Sequence, residues 1–209
     1  MKDIYVVAHA QSQHHVHKVV GGWFDTGLTD FGRRQAAASA ARLQDWIGEG
    51  APTIVSSDLK RAAETAAVIG EAFVAPVALD ADLREMSYGS AGGKPDAWMR
   101  ENESHAPRVG DRMGHRSIPD GESKREFATR IYRAMDRIVA DPAPVQVVVT
   151  HGFAITFVVA AWVGMPLEAA GYINLKTNSG GLTHLREDDL RFNRAVLRLN
   201  DVAHLEGLK

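Results

Sequence analysis

The stretch IYVVAHAQSQHHVHKVVGGWFDTGLT, residues 4–29, decides how the chain is read. It opens with a short β-branched run, residues 4–7, of strand length, and breaks at His9 into a polar loop that carries glycine. A strand that ends on a histidine delivers that side chain to the edge of its sheet. In open α/β sheets ligands sit outside the carboxyl ends of strands, so His9 stands where chemistry is usually done.

Two further stretches repeat the arrangement. Residues 53–55 form a short apolar strand, and SSDLKRAAET, residues 56–65, follows it, placing Arg61 at the start of a helix with an inward stripe of Leu59, Ala62, Ala66, Ile69 and Phe73. Residues 145–150, VQVVVT, form a third strand that ends on His151-Gly152 before an apolar helix over 153–163. Three strands therefore lead into His, Arg and His.

The remaining elements fit around these. Thr29 caps a helix with apolar positions Ala36, Ala40, Leu43 and Ile47, stopped by Gly48 and Gly50. Residues 77–79 make a short edge strand, preceded by Pro76 as an edge tolerates. Periodicity vanishes over residues 86–120, where Gly, Pro, Arg and His are frequent, and a weakly structured segment of that length is expected to serve as a lid. Gly121-Glu122-Ser123 then opens a helix with Phe127, Ile131, Met135 and Ile138 on one face. Apolar runs at 171–175, 181–186 and 195–199 close the chain, the last two pairing as a hairpin around Glu187-Asp188-Asp189. Alternation of strand and helix with a late hairpin predicts a single α/β domain over 1–209. It is a three-layer α/β/α sandwich on a mostly parallel mixed sheet with an antiparallel edge.

Composition narrows the function. With 24 basic against 26 acidic residues and a net charge of -2, no global field favours nucleic acid or an anionic membrane surface. Any phosphate site must be local. Cysteine is absent, which excludes disulfide and thiolate chemistry. No apolar run approaches the ~20 residues that span a bilayer, and the opening strand is too short for a signal core, so a cytoplasmic location is expected.

The order of motifs resembles the histidine phosphatase superfamily, the group that includes cofactor-dependent phosphoglycerate mutase. The resemblance runs through His9, Gly22-Trp23-Phe24-Asp25, Leu28-Thr29, Gly32, Arg61, Leu83-Arg84-Glu85 with Gly89, Pro119-Asp120-Gly121-Glu122-Ser123 and Thr150-His151-Gly152. It implies a phosphoglycerate mutase-like fold and a small phosphorylated substrate. His9 would be the nucleophile that becomes phosphohistidine, Glu85 the proton donor, and Arg61 and His151 the phosphate ligands. No metal and no nucleotide cofactor is required. One departure stands out: the family carries Arg-His-Gly at the first strand, and this chain reads Ala8-His9-Ala10.

The residue types suit that chemistry. A neutral imidazole can attack phosphorus, and the planar arginine fork meets two phosphate oxygens at once. His151 sits where a strand feeds a helix, so the amides of Gly152 and Phe153 are expected to face phosphate. A glutamic acid that protonates a leaving oxygen needs a raised pKa, which burial supplies. Gln11 and Ser12 are expected to hold the loop by hydrogen bonds. His14, His15 and His17 invite a metal reading, but adjacent residues of an extended loop point apart, so none is expected. His15 falls where phosphoglycerate mutases carry a phosphate-contacting asparagine, which makes His14 or His15 a substitute donor for the missing arginine. A side chain at position 8 is expected to emerge beside the nucleophile.

Three functions remain open at this point. They are a phosphomonoesterase, a mutase primed by a bisphosphoglycerate, and a silent relative that binds a phosphorylated ligand or a protein. Oligomeric state is equally open, a homodimer among the alternatives.

Overall fold

β1 (Lys2–Ala8) is the strand from which the sheet is built, and the computed structural model, which describes residues 1–208, surrounds it with five others. The chain continues through α1 (Gln13–His17), α2 (Asp30–Ile47), β2 (Thr53–Ser56), α3 (Lys60–Phe73), β3 (Val77–Leu79) and α4 (Asp96–Asn102). It then runs through α5 (Lys124–Ala140), β4 (Val145–Thr150), α6 (Gly152–Trp162), β5 (Leu182–Glu187) and β6 (Arg194–Asp201). Strand order is β3-β2-β4-β1-β5-β6, with β3, β2, β4 and β1 parallel and β5 and β6 antiparallel. This is the expected mixed α/β sheet, hairpin edge included.

Side-chain alternation along β1 sets the layers. Ile4, Val6 and Ala8 face the cluster of α5 and α6 residues that includes Phe127, Ile131, Phe157 and Val158. Tyr5 and Val7 face the opposite cluster, with Leu43 of α2 and Ala62 and Ile69 of α3. Burying one aromatic such as Phe157 contributes about 1.5–3 kcal/mol, so these two clusters carry the fold. α6 is apolar all round because Phe157, Val158, Val159 and Ala160 are all buried.

Caps match the sequence. Thr29 Oγ1 accepts from the Gly32 amide at 2.9 Å, and Ser123 with Glu126 forms a capping box at the start of α5. Gly32 is obligatory for another reason: a Cβ there would lie 1.9 Å from the Gln11 carbonyl oxygen. That approach locks the loop after β1 onto α2.

Four expectations are corrected. Residues 14–17 are not extended; they belong to the helical turn α1, which brings the His14 and His15 ring centroids within 4.0 Å of each other. Residues 86–120 hold α4 and a 3-10 turn, Gly89–Ala91, over their own apolar cluster of Val20, Ala91 and Ile118. Residues 171–175 add no strand, because their first two residues finish a 3-10 turn, Leu167–Tyr172. Ala8 does not emerge at an open edge: it is 2% exposed, on the β1 face that packs with Leu83 and Met86.

Candidate active site

Parallel strands bring their carboxyl ends to one edge of the sheet, and the residues that follow β1, β2 and β4 meet there. The backbone ties them: the His9 amide donates to the Thr150 carbonyl at 2.9 Å and the Ser57 amide to the Val149 carbonyl at 2.9 Å.

His9 is 6% exposed, and its Nδ1 lies 2.8 Å from the Ala10 carbonyl oxygen. A carbonyl only accepts, so the proton is on Nδ1 and the lone pair is on Nε2. There it accepts from Arg61 Nε at 3.1 Å. Burial first, then the adjacent guanidinium, holds the His9 pKa well below its ordinary value. The ring is neutral at neutral pH.

Arg61 is 1% exposed and is aimed by the loop after α1: Nη1 donates to the Phe24 carbonyl at 3.1 Å and Nη2 to the Gly22 carbonyl at 2.6 Å. Three of its five N–H groups are engaged, which leaves two for a ligand. Thr65 Oγ1 links the helix to the loop that follows β1, donating to the Arg61 carbonyl at 2.7 Å and accepting from the Ala10 amide at 3.1 Å.

His151, fully buried, sits with its ring centroid 5.0 Å from that of His9. Ser57 Oγ accepts from the Leu59 amide at 3.4 Å and lies within hydrogen-bond distance of His151 Nε2, at 2.8 Å. The Nδ1 of His151 is buried without a hydrogen-bond partner among the described residues. Burial, followed by the charge of Arg61, keeps this imidazole neutral as well.

The α1 turn adds two rings. His14 is spent on structure, with Nδ1 2.8 Å from Ser12 Oγ and the ring against Gly21. His15 accepts from the Ser12 amide through Nδ1 at 3.2 Å and lies nearly parallel to His9, centroids 5.5 Å apart, with Nε2 outside the cap. Ser12 is thus the hub of α1. Gln11 is a strut: its Oε1 accepts from Thr29 Oγ1 at 2.8 Å and its amide donates to Gln35 Oε1 at 2.9 Å. No group of three or more His, Cys, Asp or Glu is arranged to hold a metal ion among the described residues.

Glu85 closes the site from the other side. Its carboxyl accepts from the Met86 amide at 2.9 Å and from the Phe153 amide, in the first turn of α6, at 3.0 Å. The Phe153 amide therefore serves the carboxylate and does not face the cleft as expected, while Gly152 opens the helix. Burial raises the Glu85 pKa against the pull of those amides and of Arg61 and Arg130. Arg84 does not counter it, being turned away into a bidentate pair with Asp58 at 2.6 and 2.5 Å.

Sequence reasoning missed the groups that fix the Glu85 backbone. Arg130 of α5 is 9% exposed, pairs with both oxygens of Glu122 at 2.8 Å, and donates to the carbonyls of Asp82, Arg84 and Glu85. Trp23 Nε1 also donates to the Glu85 carbonyl, at 2.8 Å. A signal for Arg130 existed, since position 130 lies on the same helical face as Phe127 and Ala134, where a charge must be paired.

A buried neutral imidazole whose lone pair meets a guanidinium, a second buried imidazole with an unpartnered nitrogen, and a carboxyl of raised pKa are thus gathered at one edge of the sheet, an arrangement suited to an anion. The sequence matches the histidine phosphatase superfamily (branch 1) over residues 4–201, and the chain belongs to that superfamily. It is 31% identical to the "Probable phosphoglycerate mutase GpmB" of Erwinia tasmaniensis, over 99% of this chain and 96% of that one. The mycobacterial glucosyl-3-phosphoglycerate phosphatase Rv2419c, solved with VO3, superposes with a TM-score of 0.78 at 27% identity, covering 97% and 100% of the two chains. The α-ribazole phosphatase of Shigella flexneri shares the fold, with a TM-score of 0.78 at 21% identity over 95% and 96%.

Proposed function

We propose that the protein hydrolyses phosphate monoesters through a phosphohistidine at His9. His9 Nε2 attacks phosphorus, and the two spare N–H groups of Arg61 with His151 Nδ1–H receive the non-bridging oxygens. Glu85 gives its proton to the departing alcohol and then takes one from the water that cleaves the phosphorus–nitrogen bond. The observation that carries this is the tautomer of His9: Nδ1–H is committed to the Ala10 carbonyl, so the lone pair is on Nε2, where it meets the guanidinium of Arg61. Likeness to the mycobacterial phosphatase supports hydrolysis.

Ala8 removes one phosphate ligand of the family pattern, and a charge-assisted hydrogen bond is worth about 1.5–3 kcal/mol. Arg61, His151 and His15 Nε2 are the donors that remain. The test is brief incubation with a labelled monoester and acid-labile phosphohistidine analysis. Label on His9 is expected in the parent, and His9→Ala is expected to lose both label and turnover while remaining folded.

Mutase activity is the second reading, supported by the name of the Erwinia relative. Conversion of phosphoglycerate that depends on added bisphosphoglycerate, and outruns release of inorganic phosphate, would establish it.

A further inference from the structure

A cavity of about 310 Å3, lined from the α4 side by Asp96, Met99 and Glu103, adjoins Met86 and Phe153, whose amides Glu85 accepts. Its near wall borders the proposed site through Met86 and Phe153, and Tyr88 lines it beside them. At its other side the charge of Asp96 reaches His15, which stacks on His9. The cavity therefore begins where a phosphoester's alcohol oxygen would leave.

Its far wall is charged and uncommitted. Asp96 and Glu103, at the two ends of α4, and Lys124, at the start of α5, line it half-buried. None of the three makes a side-chain hydrogen bond or ion pair among the described residues, although Arg112, Arg116, Arg125 and Arg130 nearby are all taken up by carbonyls or carboxylates. Lys124 reaches only the face of Phe153, 5.8 Å from its centroid. Burial lowers the His115 pKa and favours a neutral ring, so the fixed charge is two carboxylates against one ammonium.

Resting on hydrolysis at His9, we infer that this cavity selects esters whose alcohol is an uncharged polyol, a sugar or sugar-alcohol phosphate, with Asp96 and Glu103 accepting from hydroxyls and Lys124 donating to them. The chemistry separates the alternatives. A second anionic group, such as the carboxylate of a phosphoglycerate, would meet a wall whose net charge repels it. A cationic alcohol would meet Lys124. A polyol offers both donors and acceptors to charged partners, and its C–H faces suit Met86, Met99, Tyr88 and Phe153.

The test compares kcat/KM for a hexose 6-phosphate, 3-phosphoglycerate, phosphoethanolamine and an aryl phosphate in the parent, Asp96→Asn and Glu103→Gln. The parent is expected to prefer the hexose phosphate over the other alkyl esters. Each substitution is expected to cost about tenfold more on the hexose phosphate than on the aryl phosphate, through KM. Preference for phosphoglycerate or phosphoethanolamine, or equal losses on all esters, would overturn the inference. A binding arm separates it from the catalytic proposal. Calorimetry with His9→Ala should show the hexose phosphate binding at least tenfold more tightly than inorganic phosphate, with the gain lost on adding Asp96→Asn. That result with no turnover by the parent would sink hydrolysis and leave the cavity's role standing. Binding no tighter than inorganic phosphate would remove the cavity's role.

Discussion

β1 has a buried histidine near each end, and the two lie in opposite electrostatic company. Past its carboxyl end, His9 faces the guanidinium of Arg61 and other imidazoles. Near its start, Asp3 receives His184 Nε2 at 2.5 Å and Arg186 Nε at 2.7 Å, with the His184 ring stacked on Tyr5 at 4.4 Å. At ~3.3 Å per residue the two places are roughly 20 Å apart on one strand. Burial lowers both histidine pKa values, but at the far end Asp3 pulls back upward, whereas around His9 the neighbouring charges push further down. A carboxylate opposite an imidazole makes a structural pair; a guanidinium opposite one keeps a lone pair available.

Exchanging a carboxyl for its amide at each end should expose that contrast. Glu85→Gln is expected to lower kcat about a thousandfold on alkyl esters and far less on activated aryl esters, since only poor leaving groups need the proton. Equal losses on the two would make Glu85 a strut of α6. Next in size, Arg61→Lys should reduce kcat/KM about a hundredfold, because an ammonium cannot serve His9, two carbonyls and phosphate from one plane. Asp3→Asn is expected to leave kcat/KM within about twofold and to destabilise the fold by about 1–3 kcal/mol in urea unfolding. A catalytic defect there would erase the distinction.

The smallest contrast concerns pH. His151 and His184 both have depressed pKa values, so below about pH 6.5 the unfolded chain binds protons that the folded chain refuses. Stability therefore falls as pH drops through and below that value. The slope is at most about 1.4 kcal/mol per pH unit for one histidine. Glu85 acts with the opposite sign, so both variants are compared with the same parent. His151→Asn is expected to flatten the acid side more than His184→Asn, because Asp3 already eases protonation of His184. Urea midpoints between pH 5 and 7 would reveal the reverse order if the far-end pair were the more strained.

Strands were legible because they are short β-branched runs ending in abrupt polarity, as at Val7-Ala8-His9 and Val149-Thr150-His151. Helices were legible where an apolar stripe recurs over several turns, as in α5. α1 escaped because five residues containing three histidines hold too little periodicity, and its reason for folding, the Ser12 cap with His15, is written in hydrogen bonds. His9, Arg61 and Glu85 could be located by motif order. Their supports could not, because Gly22 and Phe24 contribute carbonyls that any residue would supply, and Arg130 works by reaching across to a loop far away in sequence. The burial of position 8 was not legible, because strand alternation places Ala8 on the face that packs with Leu83 and Met86.

The amide of Phe153, which Glu85 Oε2 accepts, joins that carboxyl to the first turn of a deeply buried helix. A protonated carboxyl is a weaker acceptor than a carboxylate, so under the proposed mechanism the tether would slacken when Glu85 is loaded and tighten when its proton leaves. The helix end would then act as a mechanical gauge of the charge on that carboxyl. Isotope exchange at this one amide, compared between the parent and Glu85→Gln, would read the gauge.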